Sequence, residues 1–194
     1  MFLSKLLKRA FFLIKKGWSH RKKPSMEDPI MIKTTKNNAC IYNMRLQQGV
    51  HIHLFGINNN GNIISTLILT RSDNGLRGII SGKVEVGETT SEAAKRELYE
   101  ETGLQTIRLY HTGIRLNIPC RKYQFEVQVF TGIIAHGREV RLNDENSMYQ
   151  YVETHKAFSC MEVGEQKKCY HECRSIAQKI SAPEKYLIPE MELG

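Results

Sequence analysis

The chain has 194 residues, 41% of them hydrophobic, 25% charged and 8% aromatic, which supports one ordinary domain with its own core and excludes wholesale disorder, collagen and coiled coil. Its net charge of +8 is concentrated at the start: the first 26 residues carry Lys5, Lys8, Arg9, Lys15, Lys16, Arg21, Lys22 and Lys23 and no acid, which leaves 20 basic against 20 acidic residues in the remainder. That neutral remainder argues against a general basic surface for DNA or RNA, so no stable nucleic-acid complex is expected.

From Met1 to about Lys23, Leu3, Leu7, Phe11 and Ile14 fall on one helical stripe while Lys5, Lys8, Arg9, Lys15 and Lys16 face away. This pattern predicts a basic amphipathic helix. It fits peripheral contact with an anionic membrane surface, an addressing presequence, or an extension with no role of its own. The apolar run Ala10 to Ile14 is too short for a secretory core or a membrane span. Pro24 and Pro29 bound a polar linker, so residues 1–37 read as extension and linker, 38–181 as the domain and 182–194 as a tail.

Period-two alternation begins near Val50, with Val50, Ile52 and Leu54 alternating with His51, His53 and Phe55. The polar turn Asn58 to Asn62 and the apolar run Ile63 to Leu69 complete a predicted hairpin of two long strands. A loop from Arg71 to Gly78 and a short strand end at Ile79–Ile80 come next, and Ser91 to Thr102 reads as a helix closed by Gly103. Strands are predicted over 106–112 and 123–134, with a further one over 148–152. A short helix over 154–161 and a long one over 164–180 end the domain. The order implies a mixed sheet covered by helices on its faces.

The chemistry gathers between Gly82 and Leu104. On a helix Glu97, Glu100 and Glu101 stand at i, i+3 and i+4, three carboxylates on one face near the C-terminal end, where mutual repulsion and the macrodipole both disfavour them. A hard divalent cation removes that conflict, and oxygen donors alone suit Mg²⁺ or Mn²⁺. Gly82 and Gly87 bracket a predicted loop able to approach a ligand, Lys83 is a candidate phosphate contact, and Arg96 can pair with Glu88 to tie the loop to the helix.

This stretch resembles the Nudix box, Gly-x5-Glu-x7-Arg-Glu-U-x-Glu-Glu-x-Gly-U with U a bulky aliphatic. Gly82, Glu88, Arg96, Glu97, Leu98, Glu100, Glu101, Gly103 and Leu104 fill its nine defined places. The resemblance implies an α/β fold, the family's three-layer α-β-α sandwich around a mixed sheet. It also implies metal-dependent hydrolysis of a diphosphate linkage in a nucleoside diphosphate joined to another moiety. Glu97, Glu100 and Glu101 would hold Mg²⁺ or Mn²⁺, and Gly87, Glu88 and Gly103 would shape the box. Members often carry Pro-Gly where this chain has Ile80-Ser81, which leaves the geometry of that turn open. Downstream, Leu142 to Val152 resembles a segment that supplies a further acid, so Glu145 joins Glu100 as a candidate general base, an exposed acidic loop being the plain alternative.

Hints to the substrate disagree. Pro119 resembles a spacing of ADP-ribose hydrolysing members, Tyr123 lies near that of dinucleoside polyphosphate hydrolysing members, and the Glu145 segment leans toward nucleoside triphosphates. The alternative function is a Nudix-fold nucleotide-binding module without hydrolysis. Oligomeric state is left open. Outside the box, Cys169 and Cys173 stand at i, i+4 and could ligate zinc, although no second pair completes four ligands. His51 and His53 share one strand face and could stack on a base. Five irregularly placed cysteines, Cys40, Cys120, Cys160, Cys169 and Cys173, suit a reducing compartment and a cytoplasmic location.

Overall fold

The computed structural model describes residues 45–181 except 106, 121 and 122. The predicted basic helix, its linker, Cys40 and the tail lie outside the described residues. Seven strands form one mixed sheet: β1 (Arg45–Ile57), β2 (Ile63–Arg71), β3 (Arg77–Gly78), β4 (Ile80–Lys83), β5 (Leu109–Cys120), β6 (Tyr123–Ala135) and β7 (Asn146–Glu153). The helices are α1 (Thr90–Thr102), α2 (Thr154–Cys160), α3 (Gly164–Lys168) and α4 (Tyr170–Ser181).

Strand β1 organises the sheet. Along one edge it runs parallel to β6 over its whole length. Its other edge is shared: β4 pairs antiparallel with Gly49 to Ile52, and β2 with Phe55 to Ile57. The predicted hairpin is therefore present at its turn, where Asn58 Oδ1 accepts from the amides of Asn60 and Asn62, but β2 leaves β1 after Thr66 to pair with β3, while β7 lies along its other edge from Ser65 onward. This divergence makes room for β4.

Alternation along β1 sorts the two cores. Val50, Ile52 and Leu54 join Leu67, Leu69, Phe130 and Ile134 beneath Ala93, Ala94 and Leu98 of α1. Phe55 on the opposite face joins Ile68, Val129, Ala157, Met161, Tyr170 and Ala177 beneath α2 and α4. Helices thus cover both faces, the three-layer arrangement expected. Ala93 and Ala94 are fully buried, and without long side chains they let α1 lie close to the sheet. Truncating Leu98, 2% exposed, to Ala would cost about 2–5 kcal/mol.

Helix α1 starts where predicted. Thr89 Oγ1 accepts from the Glu92 amide at 3.2 Å while Glu92 Oε2 accepts from the Thr89 amide at 2.7 Å, a reciprocal cap. It stops at Gly103, whose φ of 67° suits a residue without Cβ and whose amide donates to the Tyr99 carbonyl.

Three expectations are corrected. Ser81, Gly82 and Lys83 lie on β4 rather than in a turn and loop, because the edge of β1 left by β2 supplies their hydrogen-bond partners. The strand expected to end near Thr112 continues to Cys120: a bulge between His111 and Arg115, with Gly113 at φ 78°, absorbs the irregularity. Pro119 is tolerated there because β5 is the sheet's outer strand. The long closing helix is broken at Cys169, whose φ of −101° and ψ of 1° separate α3 from α4.

Candidate active site

Strand β4 and helix α1 bring the box residues together, with Arg96 at the centre. Its Nε donates to Glu88 Oε2 at 3.1 Å and its Nη2 to Glu88 Oε1 at 2.7 Å, a two-point fork. Nη2 also donates to the Lys83 carbonyl at 2.8 Å, and Nη1 to Glu97 Oε1 at 2.6 Å and to Glu100 Oε2 at 3.3 Å. One guanidinium therefore ties the end of β4, the loop at Glu88 and two acids of α1 together. Its side chain is 21% exposed. The fork holds the Glu88 carboxyl below its ordinary range, chiefly through the Arg96 hydrogen bond.

Glu97 and Glu101, one turn apart, point into the protein. Burial pushes the Glu97 carboxyl up to about 7, opposed by its bond to Arg96 and assisted by Glu100 and Glu145. Glu101 is 2% exposed, and burial, followed by the charge of Glu97, pushes it up to about 8. Its Oε1 accepts from the Ser81 amide at 3.3 Å and its Oε2 from Asn146 Nδ2 at 3.2 Å. Lys83, on the same strand as Gly82, is lowered to about 8 by burial.

Glu145 precedes β7 and is the most open of these acids, its side chain 47% exposed with Arg71 Nη2 at 3.6 Å. Its charge reaches both Glu97 and Glu101. The plain reading of a solvent loop therefore omits its proximity to the buried acids. A small cleft beside Glu101 is lined by Arg71, Ser81, Asn146 and Gln166 among others. Gly87 (φ 90°) is in the loop, with open space where its side chain would be.

The donor set fits a hard divalent cation: Glu97, Glu100 and Glu101 offer oxygens alone, and Glu101 is a buried carboxylate whose charge is costly without a cation, with the part-buried Glu97 one turn away. Sequence reading missed Asn146 and Arg71. Both come to the site through β2–β7 pairing, in which Arg71 lies opposite Asn146, a long-range register that no local motif encodes. His51 and His53 lie in the opposite direction, 7% and 0% exposed, and are not available to stack on a base. Burial, with a further push from His53, holds His51 down to about 3.

The model of the NUDIX domain matches residues 48–173. The chain belongs to the Nudix family. Solved structures agree at the level of the fold. The MutT protein of Methanosarcina mazei superposes with a TM-score of 0.56 at 22% identity, covering 69% of this chain and 96% of that one. An Ap4A hydrolase of Caenorhabditis elegans in a binary complex gives 0.55 at 19%, covering 69% and 97%. The NUDIX domain of Shewanella oneidensis NrtR, complexed with ADP ribose, gives 0.57 at 13%, covering 73% and 94%. No curated protein is significantly similar in sequence. Among the described residues no helix of this Nudix protein is long and apolar enough to cross a membrane.

Proposed function

We propose that this Nudix protein is a Mg²⁺- or Mn²⁺-dependent hydrolase of a diphosphate linkage in a nucleoside diphosphate joined to another group, with a nucleoside triphosphate or related nucleotide as the favoured substrate. The observation that carries this reading is the acidic face of α1, with all of its acids present, Glu97 and Glu100 braced by Arg96 and Glu101 held by Ser81 and Asn146. Glu97, Glu100 and Glu101 would hold the ion. When bound, it supplies charge neutralisation of phosphoryl oxygens and a more acidic water.

The chain's own residues supply position and proton transfer. Arg96 fixes Glu97 and Glu100 relative to β4 and the Glu88 loop, and Asn146 and the Ser81 amide orient the two oxygens of Glu101. Lys83, at the end of β4, would be the candidate to offer positive charge to a phosphate. A carboxylate must take the proton of the attacking water, and one not committed to the ion is the better base. That favours Glu145, open and facing the same acids, over Glu100, which bonds Arg96.

Two of the structural relatives named above carry different nucleotides in their names, Ap4A in one and bound ADP ribose in the other, so the fold leaves the leaving group open. The test is a Mg²⁺-dependent screen of nucleoside triphosphates, dinucleoside polyphosphates, ADP-ribose and coenzyme A with products identified. Release of a nucleotide product that depends on the ion is expected. Tight nucleotide binding without turnover across the panel would instead assign a binding module.

A further inference from the structure

On the face of the sheet away from α1, three metal-binding side chains converge from elements far apart in the chain. His53 projects from the middle of β1; Cys169 precedes α4 and Cys173 lies in its first turn. The four-residue spacing turns both sulfurs toward the strand. All three residues are buried, at 0%, 2% and 0% exposure. His53 Nε2 is 3.4 Å from Cys169 Sγ, and the three donor atoms lie within 4.8 Å of one another. Among the described residues no other group of histidine, cysteine or acidic side chains is gathered so closely.

An ordinary core explains these residues poorly. The surroundings are apolar, with Phe55, Val129, Ala157, Met161 and Ala177 in the same cluster. His53 Nδ1 is buried with no hydrogen-bond partner, a penalty that an aliphatic side chain would avoid. The spacing is also close to that of a coordination shell. With metal–nitrogen bonds of about 2.0 Å and metal–sulfur bonds of about 2.3 Å, trigonal or tetrahedral ligands stand about 3.5–4.0 Å apart; His53 Nε2 and Cys169 Sγ, at 3.4 Å, are near that separation, and a side-chain adjustment within the 4.8 Å spread of the three donors would seat an ion.

We infer that His53, Cys169 and Cys173 form a second metal site, distinct from the acidic face, which takes a thiophilic d10 cation, Zn²⁺ or Cu⁺. The donors decide the class: thiolate and imidazole select soft or borderline ions, whereas the carboxylates of α1 select hard ones. Zn²⁺ with two thiolates and a neutral imidazole carries no net charge, which an apolar core tolerates, and it would take a water as its fourth ligand. Cu⁺ would be satisfied by three ligands. Binding releases the two thiol protons and joins β1 to the start of α4, so the ion would be taken up as the C-terminal helices dock. Its role is structural, because the site lies across the sheet from the proposed chemistry.

The test uses the full chain, reduced and with excess Mg²⁺ to occupy the acids. It is dialysed against Zn²⁺ or, anaerobically, Cu⁺, washed with a weak chelator, and assayed for retained metal. Co²⁺ serves as a coloured stand-in for Zn²⁺. The site predicts one retained ion, a thiolate-to-cobalt charge-transfer band, and loss of both in Cys169→Ser and Cys173→Ser. Because either variant could fail to fold, the wild-type chain provides a second readout: ion-dependent protection of Cys169 and Cys173 from alkylation in mild denaturant, mapped by mass spectrometry. Retention of neither ion by the folded chain, or equal labelling with and without ion, would overturn the inference. So would a charge-transfer band that survives in both folded variants.

Discussion

The carboxylate of Glu97 lies directly over Gly82: a Cβ at Gly82 would run into Glu97 Cδ and Oε1. The first glycine of the box thus leaves space on β4 for an acid of α1. The sequence suggested that this glycine approaches a substrate; its neighbour in the structure is a candidate metal ligand. Glu97 reaches this position because Arg96 holds its Oε1 at 2.6 Å, and an absent side chain and an ion pair act together on one carboxylate.

Replacing Gly82 by Ala should therefore displace Glu97 while leaving β4 paired with β1. A misplacement of about 1 Å can cost on the order of a hundredfold in rate, so kcat should fall by about tenfold or more with a small loss of stability. Steady-state kinetics and thermal melts separate the two. Unchanged kinetics would show that Glu97 can move away without consequence.

Glu101→Gln should separate stability from activity. The side chain is nearly isosteric and removes a charge that burial disfavours, and Asn146 can turn its amide to offer Oδ1 to the new Nε2, so the melting temperature should hold or rise, as at other strained functional groups. Turnover should fall by about a hundredfold or more because the buried carboxylate is a proposed ion ligand. Parallel calorimetry and kinetics test this, and full turnover would remove Glu101 from the mechanism.

Arg96→Ala should impair activity and lower stability by about 1 kcal/mol or more, because it leaves the partly buried Glu88 without its main partner. The same pair has an acid limit. Since the Glu88 carboxyl is held below its ordinary value of about 4.3, its stabilising contribution is present above that value and is lost as pH falls through the folded-state pKa. Wild type should therefore lose more stability than Arg96→Ala on acidification below about pH 4. Parallel pH profiles of the two melts would refute this.

How much of this was legible in the sequence follows from the range of the interactions. The start of α1 near Ser91, the stop at Gly103 and the spacing of Glu97, Glu100 and Glu101 are local, and the sequence showed them. Arg71 and Asn146 were missed because their link to Glu101 depends on β2 pairing with β7, a choice made by the whole sheet. Ser81 and Gly82 were misassigned to a turn because their partners on β1 are some 30 residues away. The histidines of β1 and the cysteines near α4 were each noticed, yet only the fold brings them together.

The first 25 residues should be dispensable for chemistry on a soluble nucleotide. The match to the NUDIX domain begins at residue 48, every residue of the proposed active site lies between Arg71 and Gln166, and the excess positive charge is confined to the opening segment. A chain beginning at Met26 should keep kcat/KM within about threefold. If the basic segment binds anionic vesicles, binding should disappear with the deletion and weaken with salt, since attraction is screened over about 10 Å at 0.1 M. Vesicle pelleting and kinetics on both chains provide the test. A large loss of turnover on the soluble substrate would mean that the segment contributes to the catalytic domain, and the division of the chain at residue 38 would have to be abandoned.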